Sequence, residues 1–163
     1  MVNLSKGMAS QINAEGIELN EKFLQALEVM ENSGKNVFIT GKAGTGKSTL
    51  LEHFKKTTKK KIAILAPTGV AALNVGGQTI HSFFRFAPDI TPNAIQQQYV
   101  SNKKLYKVIE SIVIDEVSMV RADLLDCVDK FLRISRGKNV PFGGVQAIFI
   151  GDLYQLPPVI AGK

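Results

Sequence analysis

Apolar and polar residues follow two rhythms along the chain. Val37-Phe38-Ile39, Ile62-Ala63-Ile64-Leu65, Ile112-Val113-Ile114 and Ala147-Ile148-Phe149-Ile150 are unbroken apolar runs rich in β-branched residues. None alternates with polar positions, so they predict strands buried on both faces, which means a parallel sheet covered by helices. Helical spacing fills the intervals. Leu19, Phe23, Leu27 and Met30 line one face, with Asn20 as N-cap and Ser33-Gly34 as the stop. Leu50, Leu51 and Phe54 do the same over 47–57, and Leu124, Leu125, Val128, Phe131 and Leu132 over 121–135. Thr91-Pro92 predicts a helix start, with the helix running to about Tyr99. Strands alternating with helices make this an α/β chain with an open, mainly parallel sheet in three layers. Residues 1–16 are polar and glycine-punctuated, a flexible lead-in to one domain over 17–163.

The segments that follow the strands are chemically loaded. They are Gly41-Lys42-Ala43-Gly44, Ala66-Pro67-Thr68-Gly69, Asp115-Glu116 and Gly151-Asp152. Ligands of open parallel sheets bind outside the carboxyl ends of the strands, where all four fall. Gly41 through Ser48 matches G-x-x-x-x-G-K-[ST] in full. Gly41, Gly44 and Gly46, with Ala43 and Thr45 between them, let backbone N–H groups curl around a phosphate. The next helix presents its positive end to the same phosphate. Lys47 neutralises β/γ-phosphate charge, and the Ser48 hydroxyl ligates Mg²⁺.

Asp115 ends an apolar strand, where a carboxylate can hold Mg²⁺, usually through water. Glu116 can orient and deprotonate an attacking water, so its presence implies hydrolysis of the nucleotide as well as binding. The bland alternative is a pair of acids at a strand end. Gln155 is suited to report a γ-phosphate, or else belongs to a solvent loop. Thr68 and the backbone at Gly69 and Val70 suit contact with an anionic chain. Phe83, Phe84 and Phe86 beside His81, Ser82 and Arg85 suit a single nucleic-acid strand, but aromatics at this density are better explained as core. Five lysines between Lys55 and Lys61 make a solvated basic stretch, and Cys127 sits on an apolar helix stripe as packing.

Composition narrows this further. The chain has 163 residues, 45% of them hydrophobic and 21% charged, which excludes a disordered tail, a collagen-like fibre and a coiled coil. No apolar run is long enough for a membrane span, so no membrane partner is expected. The first 20 residues lack a signal-peptide core. A single cysteine suits a reducing compartment, for which the bacterial cytoplasm is the expectation. The net charge of +6 favours a polyanionic partner.

Taken together, the segments resemble the Pif1-like DNA helicases, in the RecD-like group of superfamily one. "GKAGTGKST" at 41–49 resembles motif I, and "APTGVAALNVGGQTIHSFFRF" at 66–86 resembles motif Ia and its extension. "VIDEVSMV" at 113–120 resembles motif II, and "PFGGVQAIFIGDLYQLPPV" at 141–159 resembles the approach to motif III and the motif itself. The resemblance implies a RecA-like P-loop NTPase lobe (domain 1A) that uses ATP and Mg²⁺ and moves 5′ to 3′ on single-stranded DNA. Nucleotide contacts then include Thr49, Gln155 becomes the γ-phosphate sensor, and Thr68, Gly69, His81 and Ser82 contact the strand. The family also places an adenine-reading glutamine in the helix before motif I, where Gln25 stands one position off. No second RecA-like lobe, with its catalytic arginine, follows motif III, so the piece is expected to be a monomer that binds nucleotide and turns it over poorly. The competing reading is a self-standing nucleotide-binding adaptor without unwinding activity.

Overall fold

The computed structural model describes residues 2–3, 10–12, 18–96, 103–152 and 154–155. Its centre is a six-stranded sheet in the order β1-β4-β8-β7-β5-β6, parallel at every pairing. The four apolar runs are its middle: β4 (Val37–Thr40), β8 (Gln146–Gly151), β7 (Ser111–Ile114) and β5 (Ile62–Ala66). Two-residue strands border it, β1 (Val2–Asn3) and β6 (Gln78–Thr79). A small antiparallel pair, β2 (Ser10–Ile12) and β3 (Glu18–Asn20), stands apart. Within the expected lead-in, then, Val2–Asn3 pairs with β4 and Ser10–Ile12 with β3.

Continuous runs are needed because both faces of the sheet are covered. Ile112 and Ile114 of β7 join a core on one face, with Ala63, Leu65, Ala147 and residues of α6 (Ala122–Arg136). Val113, Ile148 and Ile150 join a second core on the other face, under α1 (Glu21–Asn32) and α2 (Lys47–Thr57). Successive side chains of a strand point to opposite faces, so a strand between two helical layers has no polar side. Asn20 caps α1 as expected, its Oδ1 accepting from Phe23 N at 2.9 Å. Phe84 and Phe86 are buried with Phe131 and Tyr106, so the aromatic run of this segment is core.

One expected helix is corrected. Thr91-Pro92 opens only a 3-10 turn, Pro92–Ala94, and Ile95 is already extended. Ile95 is buried against the α6 face, and Lys130 Nζ donates to Pro92 O at 2.8 Å, so tertiary anchoring wins over helix continuation. The rest of that prediction, residues 97–99, lies outside the described residues. Three short α-helices, α3 (Gly69–Asn74), α4 (Ile80–Phe84) and α5 (Lys103–Val108), and 3-10 turns at Val117–Met119 and Pro141–Gly144 complete the elements among the described residues.

Candidate nucleotide and strand site

The P-loop joins the end of β4 to the start of α2. Gly44 and Gly46 have φ of 77° and 86°, a conformation that side chains with a Cβ rarely adopt. The loop therefore turns tightly and delivers its N–H groups to the first turn of α2. Thr45 Oγ1 donates to Lys42 O at 2.8 Å and closes the loop on itself. The Lys47 ammonium folds back over it, donating to Gly41 O at 2.5 Å and Lys42 O at 2.9 Å. Two loop carbonyls thus hold a cation at the spot where an anion would take it up.

Glu116 faces this loop from the end of β7. Asp115 N donates to Leu65 O at 2.9 Å, which extends the β5–β7 pairing by one residue. The chain then turns abruptly, with Glu116 left-handed at φ 51° and a 3-10 turn over Val117–Met119. A non-glycine residue in this region costs free energy and is found where the surroundings impose it. Gly151, at the end of β8, is part of those surroundings. A Cβ on it would lie 3.0 Å from Val117 Cγ1 and 3.2 Å from Val117 N, so β8 and the turn pass too close for a side chain.

Beyond Gly151, the buried Asp152 builds a second small turn. Its Oδ1 accepts from Tyr154 N at 3.0 Å and its carbonyl from Gln155 N at 3.1 Å. Sequence reasoning gave Asp152 no role. The only signal was an acid directly after an apolar strand, which does not distinguish a turn-former from a ligand.

These pieces surround one cavity of about 360 Å³, lined by Ala43, Gly44, Gly46, Lys47, Ser48, Thr49, Glu116 and Gln155. Ser48 also borders an adjoining cavity of about 140 Å³ with Asp115, Glu116, Glu52, Ala71 and Asn74. The Ser48 hydroxyl and the Asp115 carboxyl are hard oxygen donors on one wall, a set that fits Mg²⁺. This ion needs few protein ligands when substrate phosphates supply the rest. No group of three His, Cys, Asp or Glu side chains that could hold a metal occurs among the described residues. Burial raises the Asp115 carboxyl above its ordinary range, opposed by a backbone hydrogen bond and Lys47. Glu116 is raised by burial, then by Asp115, and further by Asp152, with Lys47 opposing. Raised basicity suits a group that must take a proton near neutral pH.

Gln25 is not brought to this cavity. It is exposed on α1 and lines a separate cleft of about 720 Å³ with Glu21, Leu24, Phe54 and Thr57. The larger space is therefore not where the phosphate chemistry lies.

The strand-contact candidates gather beside the nucleotide cavity. β5 and β6 are neighbours, with Ala66 paired to Thr79, and each strand ends in a capped short helix. Thr68 Oγ1 accepts from Ala71 N at 3.2 Å and starts α3, and Thr79 Oγ1 accepts from Ser82 N at 3.1 Å and starts α4. Thr68, Gly69, Val70 and Ser82 are exposed and His81 is half-buried, all at one edge of the sheet. Part of the lysine stretch, by contrast, has structural work. Lys55 Nζ donates to Val75 O at 2.7 Å and Lys60 Nζ to Met30 O at 2.8 Å. Cys127 is buried, and burial pushes its thiol up, as inert packing requires.

A family model described as PIF1-like helicase matches residues 11–163. The chain belongs to the PIF1-like helicase family. It is 43% identical to the ATP-dependent DNA helicase PIF1 of Saccharomyces cerevisiae over 82% of this chain and 16% of that protein. It is 37% identical to the ATP-dependent DNA helicase Pif1 of Bdellovibrio bacteriovorus over 96% of this chain and 37% of that protein. A crystal structure of Bacteroides Pif1 in complex with ADP-AlF4 superposes with a TM-score of 0.81 at 42% identity, over 89% of this chain and 34% of that one. Another, of Bacteroides Pif1 with ADP-AlF3 and single-stranded DNA, gives a TM-score of 0.77 at 40% identity over the same shares. The PIF1-like fold is thereby established as the RecA-like parallel sheet. The chain spans well under half the length of these relatives. No helix among its described residues is long and apolar enough to cross a membrane.

Proposed function

We propose that this chain is the nucleotide-binding lobe of an ATP-dependent DNA helicase that translocates 5′ to 3′ on single-stranded DNA. The observation that carries the reading is the shared cavity, in which a P-loop, its lysine, a strand-end glutamate and a glutamine face one another. In this reading the backbone of 43–49 and the Lys47 ammonium hold the triphosphate. Bound Mg²⁺, held by Ser48 and Asp115, would neutralise phosphate charge. Glu116 accepts the proton of the attacking water, and Gln155 hydrogen-bonds the terminal phosphate. The folded-back Lys47 would exchange its two carbonyl partners for phosphate oxygens.

Thr68, Gly69 and Val70, with His81 and Ser82, hold the strand in this reading, and α3 links the two ligands. Its first turn carries Thr68 to Val70, while Ala71 and Asn74 wall the cavity beside Asp115 and Glu116. A fluorescent ATP analogue should bind the chain in the presence of magnesium. Single-stranded oligonucleotides should bind with an affinity that falls steeply as salt rises. Glu116→Gln should keep nucleotide binding and lose hydrolysis, in this chain or in a longer one that contains it. Equal turnover in that variant would remove Glu116 from the role of base, and salt-independent DNA binding would remove the phosphate contacts.

A further inference from the structure

Beside the strand-contact edge lies a cavity of about 270 Å³ that the nucleotide site does not use. His81 forms one side, and the loop that leaves α4 forms another through Pro88, Asp89, Ile90 and Thr91. The start of α6 closes it with Arg121, Asp123 and Leu124. Pro88, Ile90 and Leu124 give it apolar walls. Its charges are arranged unusually for a site next to a polyanion. Arg121 is already taken, its Nε donating to Asp123 Oδ1 at 2.9 Å and its Nη2 to Asp123 Oδ2. Asp89 accepts no hydrogen bond from any described residue, and its carboxylate is exposed at the cavity. The Thr91 hydroxyl makes no capping bond to the turn it precedes.

A phosphate would meet one free carboxylate and a guanidinium already neutralised, so the backbone of a strand is not the fitting occupant. A neutral, planar group with N–H donors is. The volume falls just below the range of about 300–1,000 Å³ typical of pockets for drug-sized ligands, which suits one base without its sugar. We propose that this cavity receives a single nucleobase turned out of the bound strand. The imidazole of His81 would serve as a stacking plate and Asp89 as acceptor for an exocyclic amino group. Carboxylates accept from the cytosine amine in this way, and splayed bases of single strands stack on aromatic side chains, histidine included. His81 would then contact the strand through a base, with backbone contacts left to Thr68 and its neighbours. The inference rests on the single-strand reading of the preceding section.

Oligo(dC) and oligo(dU) of equal length test it, because the two bases differ in that ring edge alone, an amine and ring nitrogen against a carbonyl and ring N–H. By fluorescence anisotropy at low salt, the chain should bind oligo(dC) about fivefold more tightly than oligo(dU). In Asp89→Asn the two affinities should come within twofold, because an amide can turn either its oxygen or its nitrogen to the base. Affinity for oligo(dU) should rise with the substitution, since the amide nitrogen can donate to the uracil carbonyl and a negative charge beside the strand is removed. Equal binding of both oligomers by the unaltered chain, or a preference that survives Asp89→Asn, overturns the base pocket while leaving the strand reading intact. No salt-sensitive binding of either oligomer overturns the strand reading itself, and the base pocket with it.

Discussion

The two ends of the parallel sheet are built on opposite principles. At the end where the strands begin, polar groups are buried and paired. Gln146, 3% exposed, uses its whole amide. Its Oε1 accepts from Lys60 Nζ at 2.8 Å and Ser111 Oγ at 2.9 Å, and its Nε2 donates to Lys35 O at 2.9 Å and Val29 O at 3.3 Å. One side chain thus ties together the end of α1 and the starts of β4, β5, β7 and β8. Arg136 does similar work beside it, donating to the carbonyls of Gly143, Tyr106, Lys107 and Ile109. At the end where the strands finish, Glu116 is left-handed, two neighbouring carboxyls repel, and Lys47 bonds only to its own loop. The first end holds the fold together. The second leaves Lys47 and two raised carboxyls without partners beyond their own loops, interactions that under the proposed reading a bound nucleotide would complete.

The largest expected effect tests the first end. Gln146→Ala leaves the Lys60 amine, the Ser111 hydroxyl and two carbonyls short of partners in a buried place. Each unsatisfied buried group is costly, and about 3 kcal/mol of stability should be lost in total. Thermal unfolding should drop by roughly 10 °C, while the folded variant should bind the ATP analogue as before. The mirror experiment is Lys47→Ala. Affinity for the analogue should fall about 100-fold, since a charge-assisted phosphate contact goes. The melting temperature should stay within about 2 °C, because only two bonds within the loop are lost, one of them exposed. If Lys47→Ala unfolds the chain or Gln146→Ala abolishes binding without unfolding it, the division between the ends fails.

A smaller effect separates two jobs of one hydroxyl. Thr68 caps α3 and is also proposed to contact the strand. Thr68→Ala should cost about 1 kcal/mol as a lost cap and also weaken oligonucleotide binding. Thr68→Asp should restore the stability, since aspartate caps well, yet weaken the binding further by repelling phosphate. Recovery of DNA binding in Thr68→Asp would reduce Thr68 to a structural residue.

The contrast between the ends also explains what could be read from the chain alone. The four central strands were legible because two-sided burial leaves an unbroken apolar run. The turn of the P-loop was legible because its residues are contiguous and its positive φ angles fall on Gly44 and Gly46. Gln146 was not legible, because its partners lie as far away as residues 29, 35, 60 and 111, and nothing near it marks an amide as buried. The strand pairings of β1 and β6 are two residues long and carry no pattern. The Pro92 turn had a helix signal but is held by Lys130 and the burial of Ile95, contacts made across the fold. The left-handed Glu116 has no local signature either. It stands in a turn that packs closely against Gly151, in a strand that ends 35 residues later.

The smallest effect concerns Glu116 itself and has a definite sign. Burial, and then the nearby Asp115, raise its carboxyl above the ordinary range. Over the window between the ordinary carboxylate pKa and that raised value, the folded chain binds more protons than the unfolded one. Stability therefore falls as pH rises through this window. Glu116→Gln removes the titration and the repulsion but keeps the left-handed backbone, so conformational strain cancels in the comparison. The variant should melt at the same temperature as the parent near pH 4 and above it at pH 7. The gap should be about 1–2 °C, small because solvent still reaches part of the group. Asp115, also raised, remains in both proteins, so both should keep some decline with pH. A gap that is reversed, or that does not open with pH, would mean that this end of the sheet carries no electrostatic load, and that Glu116 is held in place by backbone packing alone.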